Sequence, residues 1–424
     1  MVIKEVRKII KSVSFANFFH LSLNQGVNVL VAVVITPLLY QNLGEGQFGL
    51  VGLGLTVVMF LSVLVNYGFH LNGPKRLALT LGDTDKQQEL VNEIIVTKLM
   101  LSVVLSLLIL IAIYGFNFFP DYSSILSLSL VILLGEALFP MFILQGLDKL
   151  SLVSIANAIS KLFYLIAVVI VVKEGSDAKW VNFLFGASSV IVNFGLLVFV
   201  YKKWGLRFYW VNAAKVFIRI KENFQFFLST IGGHLSVHGG YIILSNFVSE
   251  VELGRYNLAQ RVAFLLRMIP VFLTQSILQS ASRLYHENES DFNEYLSKAY
   301  KSGLALTFAV GLGFAITSSY IIRILGGEYV DYSANVLRIL CFIPFFGMLN
   351  VANMIKILVA ERKEILAKAT WVTAVFMLVI AMLGSYYFGG YGLAVALLLS
   401  EVLSFAVHYY LLKRYCVLSN DGDK

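Results

Sequence analysis

The stretch LAQRVAFLLRMIP, residues 258–270, sets two arginines, Arg261 and Arg267, in a run that is otherwise almost wholly apolar. A cation at the centre of a bilayer costs about 2.5–3.5 kcal/mol on insertion scales. A guanidinium kept at that depth needs a carboxylate, water or an anionic ligand, and its planar fork matches phosphate bidentately. On a helix, Asn257, Gln260, Arg261, Phe264 and Arg267 fall within an arc of about 120°. Leu258, Val262, Leu265, Leu266 and Ile269 cover the other side. Counted from Gly254, Arg261 lies roughly 10 Å and Arg267 roughly 20 Å along the span. The pattern predicts a membrane-crossing helix whose cationic face meets protein or water.

Two chemistries fit that face. The arginines can pair with the mid-span carboxylates Glu136, in LLGEALF, and Glu401, in LLSEVLS, and so fix helix packing. Alternatively, they line a site for an anionic substrate, with Gln260 and Asn257 beside them. Two cations on one helix exceed what a packing clamp needs, which favours the lining. Two further polar runs agree. NFFHLSLNQGVNV carries His20, Asn24, Gln25 and Asn28, and STIGGHLSVHGGY carries His234 and His238 one helical turn apart. Taken singly, each is an ordinary interhelical hydrogen-bonding group. Their equivalent places in two halves of the chain point instead to a shared polar face on a central cavity.

Other chemistry is excluded. HLSVH lacks the glutamate of a zinc-hydrolase helix, so no metal site is expected. Gly44-Glu45-Gly46-Gln47-Phe48-Gly49 has the spacing of a dinucleotide loop but lies between two apolar spans, not in a βαβ unit. No P-loop motif occurs, so uphill transport would need an ion gradient. No cofactor is expected.

The elements that must position these residues follow from composition. The 424 residues are 58% hydrophobic and 14% charged, with mean hydropathy +0.79, against about 25% charged in soluble domains. Twelve apolar runs, from 13–38 to 391–412, are each long enough to span a hydrocarbon core of about 30 Å as a helix. The fold class expected is therefore an all-α polytopic membrane protein. The net charge of +8 does not signal nucleic acid, because the cations sit in short segments between spans. Lys4, Arg7, Lys8 and Lys11, then Lys75, Arg76 and Lys86, then Lys149 and the 202–222 segment alternate with QNLGEGQ, NFFPDYSS, VSEVELG and YFGGYG, which hold no Lys or Arg. That alternation predicts both termini in the cytoplasm.

The halves match in order. GQFGLVG begins at Gly46 and GRYNLAQ at Gly254; GPKRL and SASRL place Arg76 against Arg283; LFPMF and FIPFF place Pro140 against Pro344. A nearly constant offset predicts a parallel repeat of six helices, pseudo-symmetric about an axis normal to the membrane. The expected domains are a bundle at 1–201, a cytoplasmic amphipathic linker at 202–222 and a second bundle at 223–424. Lys75, Arg76 and Arg283, at matched inward ends, are candidates for a cytoplasmic gate.

TPLLYQNLGEGQFGLVGLG followed by VNYGFHLNGPKRLA, and QGLDKLSLVSIANAISKL further on, are similar to Wzx-type polysaccharide flippases of the multidrug/oligosaccharidyl-lipid/polysaccharide exporter superfamily. Gly46, Phe48, Gly49, Tyr67, Gly68, Phe69, Arg76 and Gly146 carry the resemblance. It implies a V-shaped pair of six-helix bundles in the bacterial inner membrane, acting as a monomer and not as an enzyme. The implied substrate is an undecaprenyl-pyrophosphate-linked oligosaccharide, moved to the periplasmic leaflet by alternating access and passed to polysaccharide polymerase machinery. One departure stands out: many members carry Asp where this chain has Asn66, so ion coupling would fall to Glu136 or Glu401. A drug or metabolite/cation antiporter of the same fold would favour an acidic cavity. A membrane-embedded polymerase or glycosyltransferase would need larger outward loops.

Overall fold

The structure, a computed structural model, describes residues 13–80 and 82–420, and all regular structure among them is helical. The chain begins with α1 (Val13–Asn66), whose two arms meet at Gly44. Its φ of 74° and ψ of 167° are open to glycine and strained for a residue with a Cβ. The last helix, α15 (Lys363–Asn420), breaks in the same way at Gly389, with φ 56° and ψ −138°.

Between them run α2 (Phe69–Leu79), α3 (Thr84–Phe116), α4 (Ser123–Ser129), α5 (Val131–Leu138), α6 (Met141–Gly146), α7 (Leu150–Val171), α8 (Ala178–Lys203) and α9 (Ala213–Leu244). The series continues with α10 (Glu250–Glu287), α11 (Glu289–Gly326), α12 (Asp331–Leu340), α13 (Ile343–Leu349) and α14 (Val351–Val359). Nine helical stretches among the described residues are long and apolar enough to cross a membrane. Those of 50 and 51 residues contain the breaks at Gly44 and Gly389, so each folds as two arms. Helix α9 is more polar, since it carries Lys215, Arg219, Glu222 and two histidines, and it is not among those nine.

The matched prolines of the two halves do the same work. Phe139 is extended, with ψ 113°, as the residue before a proline prefers, and the helix stops between α5 and α6. Pro344 stands at the start of α13, where its missing N–H costs nothing. Both stretches are thus assembled from short helices.

The chain divides into two compact units. The first comprises the residues up to Gly44 together with Leu50–Ile231, and the second comprises Glu45–Gly49 together with the residues from Gly232 onward. In the first unit, Leu77, Leu90, Val91, Ile94 and Phe142 pack α2, α3 and α6 together, while Val58, Leu126 and Leu133 join α1 to α4 and α5. Val103, Leu107, Ile111 and Tyr114 lie along one exposed face of α3, which suits contact with lipid tails. In the second unit, Ile277, Ala281, Phe292, Leu296, Met348 and Ile355 join α10, α11, α13 and α14. Lipid is as apolar as leucine, so close packing and interhelical hydrogen bonds hold such bundles together. Gly49 is an instance within the second unit: a Cβ there would lie 2.6 Å from the Gly254 backbone nitrogen.

Candidate functional site

Helix α10 starts cleanly, with the Ser249 side chain accepting from the Glu252 N–H at 3.2 Å and Glu250 and Glu252 in the first turn, where negative charge favours the helix dipole. Down its length the polar stripe divides its tasks. Arg255 donates to Glu45 at 2.8 Å. Asn257 donates to the Phe48 carbonyl at 3.3 Å, and the Arg261 guanidinium lies 4.6 Å from the centre of the Phe48 ring. Asn257 and Gln260 are both buried. Tyr241, from α9, donates to the carbonyls of Gly49 and Leu253 at 3.2 Å each. The upper part of the stripe thus fastens the 45–49 segment onto α10.

Arg267 behaves differently. Its Nη2 donates to Glu401 Oε1 on α15 at 2.7 Å, with side chains 30% and 18% exposed. Exposed pairs contribute about 0.2–1 kcal/mol, whereas breaking a fully buried one costs about 3–5 kcal/mol; this pair lies between. It lines a cavity of about 310 Å³ inside the second unit, shared with Gly233, Ser236, Asn350, Ser404 and His408. Pro270, one turn on, cannot donate to the Leu266 carbonyl, and Thr274 turns its hydroxyl back to the Pro270 carbonyl at 2.8 Å. Of the five residues expected on the cationic face, only Arg267 lines this cavity, and it does so with a carboxylate partner.

The remaining expected residues fall into separate places. His234 and His238 stack at 5.7 Å between ring centres, and the Arg267 charge acts on His238. In the first unit, Asn66 donates to Glu136 Oε1 at 2.6 Å, so the asparagine and the carboxylate singled out separately meet. Beside them Lys98, 3% exposed, donates to the Phe139 carbonyl at 3.2 Å, the group that the break before Pro140 leaves outside the helix. The Glu136 charge acts on Lys98 as well. Sequence reasoning missed Lys98, although a lone lysine in EIIVTKLML was visible. The side chains of Asn24, Gln25 and Asn28 lie outside the described residues.

At the ends of α2, α3 and α9 is a ladder of charges. Arg76 and Arg219 both donate to Glu222, at 2.7 and 2.8 Å; Arg219 also reaches Glu93 at 2.5 Å, and Lys215 pairs with Glu89. The Arg76 hydrogen bond, helped by Arg219, holds the Glu222 carboxyl below its ordinary range, and the Glu89 hydrogen bond pushes Lys215 up. Arg76 is therefore tied by a strong contact, whereas Arg283 has Glu287 at 3.9 Å and Lys75 is exposed.

Comparison with known proteins places this arrangement. The family described as "Polysaccharide biosynthesis protein" matches residues 14–278. A protein of Shigella dysenteriae named "Putative O-antigen transporter" is 25% identical over 394 residues, covering 91% of this chain and 97% of that protein. Among solved structures, the inward-facing form of a multidrug resistance MATE transporter of the MOP superfamily superposes with TM-score 0.74 at 13% identity, over 95% of this chain and 99% of the other. The lipid II flippase MurJ, in an inward closed conformation, superposes with TM-score 0.72 at 15% identity, over 95% and 87%. The fold is that of this transporter superfamily.

Proposed function

Since the chain belongs to the polysaccharide biosynthesis protein family and is a multi-pass bacterial membrane protein, we propose that it flips undecaprenyl-pyrophosphate-linked oligosaccharide repeat units from the cytoplasmic to the periplasmic leaflet of the inner membrane. The observation that carries this reading is Arg267: a guanidinium on a cavity within a membrane-spanning unit, held at 2.7 Å by an exchangeable carboxylate. Phosphate offers the same bidentate acceptors with more charge. In this mechanism the substrate's pyrophosphate displaces Glu401 from Arg267, and the released carboxylate takes up a proton or cation, which links substrate binding to an ion gradient. Glu136, with Asn66 and Lys98, is the second place where such an ion can act. Arg76 serves as the cytoplasmic gate by exchanging its Glu222 contact during alternating access, with Lys75 and Arg283 at the same level. The protein works as a monomer and delivers its product to the polymerase machinery.

A drug or metabolite/cation antiporter shares the fold, but a guanidinium at the cavity repels a cationic substrate. The two readings separate in vesicles. Reconstituted wild-type protein should move a labelled undecaprenyl-pyrophosphate oligosaccharide across the bilayer. Loss of a charge-assisted hydrogen bond costs about 1.5–3 kcal/mol, so Arg267→Ala should slow flipping by roughly 10- to 100-fold. Arg267→Lys should recover part of it, because a point charge lacks the planar fork. Undiminished flipping by a stably folded Arg261→Ala/Arg267→Ala protein would overturn the reading.

A further inference from the structure

The cavity that holds Arg267 contains polar atoms that the exchange with Glu401 does not use. Asn350 Oδ1, Thr373 Oγ1 and His408 Nε2 are buried without a hydrogen-bond partner, and all three residues line this one cavity. They come from three places in the fold: Asn350 from the turn between α13 and α14, and Thr373 and His408 from the two arms of α15. Asn350 and His408 are 7% and 3% exposed. Buried polar groups left unpaired are costly, and three around one space call for an occupant.

Their chemistry says what it is. His408 Nδ1 lies 2.7 Å from the Ser404 carbonyl. A carbonyl oxygen only accepts, so the proton is on Nδ1 and Nε2 is left as an acceptor. The Asn350 amide nitrogen donates to the Ser404 hydroxyl at 3.1 Å. It also comes to 3.2 Å from His408 Nδ1, but two N–H groups cannot bond each other, so Oδ1, an acceptor, is the Asn350 atom left without a partner. Thr373 can accept or donate. An anion cannot satisfy acceptors. A neutral ligand rich in hydroxyl donors can, and about 310 Å³ falls at the lower end of pockets that hold small organic molecules, roughly 300–1,000 Å³. Met354 and Met377 also line the space and supply adaptable apolar surface for the C–H face of a ring.

We infer that this cavity is a sugar subsite: Asn350, Thr373 and His408 receive the hydroxyl groups of the sugar ring joined to the pyrophosphate that Arg267 holds. The inference rests on the proposed function and adds to it. There, Arg267 recognises an anion common to every such lipid, whereas these three residues distinguish a glycosylated lipid from a bare one. In a glycosyl pyrophosphate the first ring is bonded directly to a phosphate oxygen, so an anion at Arg267 brings that ring to the neighbouring acceptors.

The test is equilibrium binding of two probes to the detergent-purified full chain: undecaprenyl pyrophosphate, and undecaprenyl-pyrophosphate-N-acetylglucosamine. Wild type should prefer the sugar-bearing lipid by about tenfold or more, well inside the roughly 10⁴-fold by which a site built to hydrogen-bond a hydroxyl can reject an analogue that lacks it. Thr373→Val, which keeps the side-chain shape, and His408→Leu should erase the preference by weakening the sugar-bearing lipid more than the bare one. Arg267→Gln should weaken both probes. Equal wild-type affinity for the two lipids, with both weakened by Arg267→Gln, would overturn the sugar subsite and leave the flippase reading standing. Sodium ions alone stabilising wild type but not Thr373→Val, without lipid discrimination, would make it a cation site instead. Binding of neither lipid, or an Arg267→Gln protein that binds both normally, would sink the flippase reading along with it.

Discussion

Glu401 and Glu136, on different helices, each accept from a polar side chain at close range: Arg267 at 2.7 Å and Asn66 at 2.6 Å. The partners differ in kind. An asparagine only donates a neutral hydrogen bond, whereas an arginine neutralises the carboxylate. Glu401→Gln should therefore change both substrate affinity and the pH or sodium dependence of flipping in vesicles. Glu136→Gln should leave affinity alone and change ion dependence only. Wild-type ion dependence in both single variants and in the double variant would make these residues packing elements. At this scale the sequence was partly legible. Arg267, Glu401, Asn66 and Glu136 stand out because charge or amide in an apolar run is costly. Which of them meet was not legible, because the pairs are separated by 134 and 70 residues and only the folded bundle sets their registers. Arg261 had the same sequence signature as Arg267, yet it lies over Phe48, since the 45–49 segment occupies that level of α10. His408 and Asn350 gave no signal beyond that of ordinary polar residues in spans.

The elements were legible where a period or a breaker fixes them. Alternating apolar runs mark the spans, and the matched prolines Pro140 and Pro344 mark where two spans break into short helices. The double-armed helices α1 and α15 turn at Gly44 and Gly389 because glycine, lacking a Cβ, readily takes the positive φ found there. What a one-dimensional pattern cannot carry is contact between distant elements. Gly254 is the instance: a Cβ on it would run into the Glu45 carbonyl, in the segment that Arg255 and Tyr241 also hold. Overpacking of this kind costs about 1–3 kcal/mol. Gly254→Ala should therefore lower the melting temperature of the purified protein by several degrees. Gly313→Ala in α11, where a Cβ meets nothing within 4 Å, should hold or raise it, since alanine favours a helix over glycine by about 1 kcal/mol. Equal melting of the two variants would mean that the 45–49 segment does not depend on close approach to α10.

At the scale of the whole molecule, orientation is decided by charge outside the spans rather than by any site within them. Lys75, Arg76 and Lys86 precede or open α3, and the 202–222 segment gathers six more cations, while the stretch after α3, NFFPDYSS, has none. Helix α3 has 33 residues, about 50 Å at 1.5 Å per residue, more than a hydrocarbon core of about 30 Å requires. Its two ends are therefore expected on opposite sides, and if Lys and Arg stay cytoplasmic the Asp121 end is expected outward. Asp121, Asp85 and Asn212 are all exposed, so exposure does not bias the comparison, whereas Glu45 is engaged by Arg255 and reports less cleanly. In a background with Cys341 and Cys416 replaced by serine, Asp121→Cys should react with an impermeant thiol reagent added to intact cells. Asp85→Cys and Asn212→Cys should react only after the membrane is opened. Labelling of Asp85→Cys in intact cells would invert the topology and put the Arg76–Glu222 contact at the exit instead of the entrance.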